Sequence, residues 1–211
     1  MNKKPLKITP PLVIKEKKTS PYDITVCRAG KSGCIHALIN PKTISEKIEK
    51  ALDELGLGEH IMSRVKKRLL YHMRFKVTLA GCPNCCPQPQ IKDFGISGQA
   101  IPTVTENPCT ECMKCVKICK EEGAVVVENA MPVFDYDLCV FCGDCERVCP
   151  TGTIENKKVG IRVMAGGRLG RHPQLAKVLK EMADEDYVLV ALKEMVEKYI
   201  QGLPPFRKRK Y

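Results

Sequence analysis

Two runs of cysteines carry the most specific chemistry in this chain. Residues 109–119 read CTECMKCVKIC and residues 139–149 read CVFCGDCERVC, each spaced C-x2-C-x2-C-x3-C. Three thiolates this close can grip one small inorganic cubane from a single tight loop, and the fourth must come from elsewhere. Two copies therefore predict a pair of 4Fe–4S clusters with crossed ligation. On that rule Cys109, Cys112, Cys115 and Cys149 hold one cluster, and Cys139, Cys142, Cys145 and Cys119 hold the other. Zinc sites instead use C-x2-C pairs separated by longer spacers. Disulfides need an oxidising compartment, for which the sequence carries no signal. Cys149 is followed by Pro150, as this motif expects, whereas Cys119 is followed by Lys120.

The repeat extends beyond the thiols to the elements that must position them. At an offset of thirty residues Ile101-Pro102 aligns with Met131-Pro132, and Val104 with Phe134. A duplicated strand–loop–helix unit resembles a two-cluster ferredoxin, placed here at 103–156. Five cysteines remain: Cys27, Cys34, Cys82, Cys85 and Cys86. They fall in two Gly- and Pro-containing loops, each just after a predicted strand (22–26 and 75–79), as strand ends present ligands at a sheet edge. Four of the five could hold a third cubane, with buried core cysteines as the alternative reading.

The rest of the chain reads as a strand–helix body around that insert. Thr43 and Glu46 suggest a capping box, opening a helix with Ile44, Ile48, Leu52 and Leu55 on one face. A second amphipathic helix is expected over roughly 59–71, with Arg64, Lys66, Lys67 and Arg68 outward. Between 88 and 101 the chain is read as turning through Gly95 and Gly98. After the insert come a strand at 159–164, a helix from Pro173 carrying Leu175, Val178, Leu179 and Met182, and a last helix at 186–200 closed by Gly202.

Two segments carry a family resemblance. GCPNCCPQPQIKDFGISG (81–98) resembles the second cysteine segment of the siroheme sulfite and nitrite reductases, and VMAGGRLGRHPQLA (163–176) is similar to their glycine–arginine stretch. The resemblance spans roughly 22–202 and corresponds to the C-terminal half of a full-length enzyme. It implies an α+β fold: a sulfite-reductase-like mixed sheet with flanking helices and an inserted two-cluster ferredoxin domain. The implied organisation is a basic extended arm at 1–21, a body at 22–102 and 157–202, the ferredoxin unit at 103–156 and a basic tail at 203–211. The resemblance also implies that Cys27, Cys34, Cys82 and Cys86 ligate a 4Fe–4S cluster, with Cys86 bridging it to siroheme iron. Siroheme bears many carboxylates, which makes Arg28, Lys31, Arg168 and Arg171 its expected partners by charge and loop position. Two departures stand out. The first cysteine pair is C-x6-C where the family usually has C-x5-C, and the half that supplies much of the siroheme pocket has no counterpart. A second copy or a separate partner subunit would then complete the site. Cys85 reads as a spare core thiol or an alternative ligand.

Composition bounds the rest. Thirteen cysteines without an N-terminal apolar stretch suggest a reducing, cytoplasmic setting. No run approaches the ~20 apolar residues of a membrane span. The net charge of +11 lies mostly at the ends: six lysines against one glutamate in residues 1–20, and Arg207, Lys208, Arg209 and Lys210 near the C-terminus. Basic ends around a near-neutral body suit docking to an acidic partner, and without interleaved aromatics they do not suit nucleic acid. His36, His60, His72 and His172 show no clustering; His172, in the glycine–arginine loop, is the one that could serve a site. The expected function is reduction of a small oxyanion such as sulfite, with electrons from an external donor entering through the ferredoxin clusters. A non-catalytic electron-transfer subunit with three clusters is the alternative, and a tetrapyrrole- or redox-sensing module is a third reading.

Overall fold

The computed structural model describes residues 20–206. Five strands form one mixed sheet: β1 (Tyr22–Val26), β2 (Phe75–Ala80), β3 (Phe94–Val104), β6 (Ile154–Ala165) and β7 (Lys177–Ala183), in the order β1-β2-β3-β6-β7. β1, β2 and β3 are parallel, while β6 runs antiparallel to both β3 and β7. A separate hairpin pairs β4 (Val125–Glu128) with β5 (Met131–Phe134). Among the described residues no helix is long and apolar enough to cross a membrane.

Period-two alternation decides which face is covered. Phe75, Val77 and Leu79 of β2, Phe94 and Ile96 of β3, and Ile161, Val163 and Ala165 of β6 lie on one face and are all buried. Three helices cover that face: α1 (Pro41–Glu54), α2 (Leu57–Ser63) and α5 (Glu185–Gln201). α1 presents Ile44, Ile48 and Leu52, and α5 presents Val188, Leu192, Met195, Val196 and Tyr199. The ring of Phe75 meets Tyr199 edge-on at 5.0 Å. α5 opens on Asp184, whose carboxylate accepts from Tyr187 N–H, and closes on Gly202 at φ 68°.

The opposite face is polar yet equally buried. Thr78, Ser97 and Gln99 point there with 1% exposure or less, beside Gly95, Arg162 and Met164 in register. The cysteine-bearing loop 81–93 lies over this face. A Cβ on Gly95 would sit 2.5 Å from Pro89 O. The Gly95 and Gly98 taken for turns therefore belong to the central strand, where they allow close backbone approach.

Four other expectations change. α1 begins earlier than Thr43: Asn40 caps it by accepting from Lys42 N–H at 3.0 Å, with Pro41 at the first helical position. α2 stops at Ser63, whose hydroxyl donates to His60 O at 2.9 Å, a local bond that competes with continuation. The basic run 64–68 thus follows the helix. The helix expected after Pro173 is a strand, β7, because β6 has a second edge whose backbone groups need partners. Leu175, just before this strand, and Val178 within it are 68% and 49% exposed, so their helical spacing had no apolar face to serve. Lastly, Leu203–Phe206, grouped with the basic tail by composition, turns back onto the core, and Phe206 packs against Phe75 and Tyr199. The expected arm at 1–21 lies almost wholly outside the described residues, as do Arg207–Tyr211.

β3 and β6 form a long hairpin whose rungs run from Phe94–Ala165 to Val104–Ile154. The thiol-rich segment is carried at its tip. Within it, α3 (Lys114–Ile118) and α4 (Asp144–Val148) are five-residue helices at the thirty-residue offset of the sequence repeat.

Candidate metal centre

The duplicated loops wind alike. Glu111 and Met113 have φ 49° and 57°, and their counterparts Phe141 and Gly143 have φ 60° and 72°. These left-handed residues turn the chain back around the thiols. Glu111 N–H donates to Cys109 Sγ and Phe141 N–H to Cys139 Sγ, both at 3.4 Å. Such bonds stabilise thiolate over thiol and tune a bound cluster.

The thiols collect around two cavities. Cys109, Cys112, Cys115 and Cys149 line the first, with Val127, Pro132 and Ile154 as apolar walls. Cys119, Cys139, Cys142 and Cys145 line the second, of about 220 Å³, and Cys82 of the body faces the same space with Asn84 and Arg162. The fourth cysteine of each run therefore meets the first three of the other. Among the described residues no three His, Cys, Asp or Glu side chains converge as chelators of a single ion. The thiols surround spaces instead, which suits the donor set of a cubane.

Burial governs the titration of these thiols. It pushes Cys145 up to about 12 and also raises Cys115, Cys139 and Cys142. At Cys149 burial raises too, but hydrogen bonds from Ile154, Thr151 and Thr153 outweigh it, and the thiol is lowered. A buried thiol held as neutral S–H gains from replacing its proton with a cationic cluster iron.

The parallel strands β1 and β2 deliver the remaining cysteines to one sheet edge. Cys27 follows Val26, and its sulfur accepts from Gly81 N–H at 3.2 Å. Asn84 Nδ2 donates to Cys86 Sγ at 3.1 Å. Cys34, Cys86 and Cys27 all lie close enough to Cys82 to raise its pKa, behind the larger effect of burial. Cys27 and Cys82 are partly buried, whereas Cys34 and Cys86 are exposed. Cys85 instead turns toward the sheet at φ 48°; burial raises it, opposed by the nearby Ser97 hydroxyl. Beneath the loop Thr78 Oγ1 and both amide atoms of Gln99 are buried without protein partners.

The basic residues divide. Arg28 and Lys31, in the turn between Cys27 and Cys34, are exposed beside these thiols. Arg168 is committed to its own loop, donating from Nε to His172 O at 2.9 Å and from a terminal nitrogen to Gln174 Oε1 at 2.8 Å. Arg171 is exposed. The register sets Ala165 level with Phe94 and Val77, five residues along from Cys82, so the glycine–arginine loop starts well down the strands from that thiol. His172 enters through its backbone carbonyl. The histidine that reaches a site is His36, two residues past Cys34, whose Nδ1 lies 3.3 Å from Asp144 Oδ1. Only a contact 108 residues apart in the chain makes it relevant, and no local signal announced it. Arg162 was missed for a similar reason: within a strand it reads as an ordinary surface arginine.

Residues 24–209 match the nitrite and sulphite reductase 4Fe-4S domain family. Over 153 residues the chain is 37% identical to the coenzyme F420-dependent sulfite reductase of Methanocaldococcus jannaschii, covering 70% of this chain and 24% of that protein. It is 25% identical over 146 residues to the dissimilatory-type sulfite reductase subunit beta of Archaeoglobus fulgidus, covering 61% of this chain and 39% of the relative. The crystal structure of dissimilatory sulfite reductase I shares the fold at a TM-score of 0.55 and 16% identity, covering 89% of this chain and 47% of that one. The chain thus spans less than half the length of each of these relatives.

Proposed function

The chain belongs to the nitrite and sulphite reductase 4Fe-4S domain family, and from that premise we propose that it conducts electrons within a sulfite-reductase-type oxidoreductase. In this reading Cys109, Cys112, Cys115 and Cys149 form the outer centre, Cys139, Cys142, Cys145 and Cys119 the inner one, and Cys27, Cys34, Cys82 and Cys86 the body centre. When bound, the clusters supply one-electron storage and a siroheme supplies a metal at which a small oxyanion such as sulfite is reduced. The observation that carries the order is the shared cavity: the inner thiols and Cys82 face one space, while the outer thiols line another. With clusters held by these thiols, the outer set would be the side open to an external donor, and the inner set would stand between it and the body.

The chain's own residues set the terms of that transfer. Gly81 N–H and Asn84 direct hydrogen bonds at Cys27 and Cys86, lowering the electron density on those sulfurs. Arg28 and Lys31 are available for the carboxylates of a tetrapyrrole, whereas Arg168 is engaged within its loop. Exposed Cys34 and Cys86 leave the body centre open on one side, which suits completion by a second copy or a separate partner subunit. Arg168's engagement favours a second reading, a carrier subunit without siroheme.

Iron quantitation and the visible spectrum of anaerobically purified protein test both. Three clusters give about twelve irons per chain, a siroheme adds one, and the outer and inner centres alone give about eight. About thirteen irons, with siroheme bands that sulfite perturbs, supports the reductase. About twelve without those bands supports the carrier, and about eight overturns the body centre and with it the reductase.

A further inference from the structure

Among the described residues, the thiol-rich segment meets the body at a charged junction. Asp144, at the start of α4 and next to Cys145, is 8% exposed. Its carboxylate faces the Arg147 guanidinium, one helical turn on, and the imidazole of His36 in the body, whose Nδ1 lies 3.3 Å away. Arg147 also reaches across, donating from Nη1 to Ile35 O at 2.9 Å. Gly143 lets the loop close in, since a Cβ there would lie 3.1 Å from Leu38 Cδ2. The Ala100 amide completes the junction by donating to Phe141 O at 2.8 Å. Residues 35 and 36 directly follow Cys34, and residues 144 and 147 bracket Cys145. His36 and Asp144 also line the cavity shared by Cys82 and the inner thiols.

We propose that Asp144, Arg147 and His36 form a positioning latch that fixes the inner four-thiol centre against the cysteine loop of the body. The inference rests on the electron-transfer reading above and adds residues that ligate nothing. Arg147 serves because its planar guanidinium can hold a carboxylate and a carbonyl at once, binding its own helix to a neighbouring loop. Asp144 serves because a buried carboxylate must keep its partners, so the junction has one favoured geometry. Two centres exchanging electrons need a fixed separation, and supporting side chains of this kind provide it.

The test uses the full chain loaded anaerobically with iron and sulfide. In the fully reduced protein, neighbouring paramagnetic centres broaden one another's electron paramagnetic resonance signals. Arg147→Ala is expected to keep wild-type iron content and lose the broadening between the inner and body centres. Arg147→Lys, which keeps the charge but not the fork, is expected to lose part of it. Unchanged broadening at full iron content in Arg147→Ala overturns the latch. If that variant fails to hold iron, Arg147→Lys decides on the same terms. If wild-type protein binds only about eight irons, the body centre of that reading fails by itself. The latch is then judged by hydrogen exchange at the Ala100 amide: faster exchange in Arg147→Ala supports it, and unchanged exchange overturns it.

Discussion

Cys149 and Cys119 each end a short helix, at the two positions where the sequence rule and the local chain direction disagree. Each follows the helix of its own run yet lines the cavity of the other. Cys149→Ser is therefore expected to damage the centre at Cys109, Cys112 and Cys115 and spare the one at Cys139, Cys142 and Cys145. Loss of the latter instead, read by electron paramagnetic resonance, would overturn the crossed assignment. His60 adds a pH dependence to the stability of the fold. His60 Nε2 is buried without a partner, and burial, aided by Arg64, lowers its pKa. The unfolded chain therefore binds a proton that the folded chain resists. Stability from this group is present above the ordinary histidine pKa of about 6.5 and is lost as pH falls through that range toward the lowered folded value. His60→Gln, which cannot titrate, is expected to flatten that part of the profile. Equal slopes for wild type and variant in urea melts between pH 7 and pH 5 (roughly the histidine range) would remove His60 as the cause.

Elements were legible where periodicity matched burial and obscure where pairing decided. β1, β2 and α5 follow from alternation and from a 3.6-residue apolar stripe, because each turns its large apolar side chains to a single face. β7 has no such face: its side chains are largely exposed, and it exists because β6 offers an open edge. Nothing within residues 173–183 encodes that edge. The cysteine spacings were legible for the opposite reason, since a cubane's geometry is met by local loops. The latch, joined across more than a hundred residues, was not. Gly95 shows the same limit, read as a turn residue but required by the segment Pro89–Ile91 lying on the strand. Gly95→Ala places a methyl group against Pro89 O, a backbone atom that moves only if the cysteine loop moves. The expected cost is about 1–3 kcal/mol, the usual range for overpacking a tight interior. Chemical denaturation measures it, and a change under ~0.5 kcal/mol would mean the loop yields freely.

For the whole molecule, charge and fold separate. Residues 1–19 carry six lysines and one glutamate, and residues 207–211 carry four basic residues, leaving +2 of the +11 for residues 20–206. The described residues already hold the sheet, its three covering helices and all thirteen cysteines. The C-terminal boundary matters, because Phe206 is buried against Phe75 and Tyr199. A cut at 202 would strip that ring from the core at about 3–5 kcal/mol, the cost of deleting a buried phenylalanine. A truncated protein spanning 20–206 is therefore expected to fold cooperatively and keep its full iron content. A chain of 20–202 should melt at clearly lower temperature. The trimmed 20–206 protein should also bind an acidic redox partner more weakly, with a shallower dependence on salt, since exposed charges act over about 8–10 Å at moderate ionic strength. Binding titrations at low and moderate salt separate the outcomes. If 20–206 binds as tightly and as salt-dependently as the full chain, docking resides on the body and the basic ends serve another purpose.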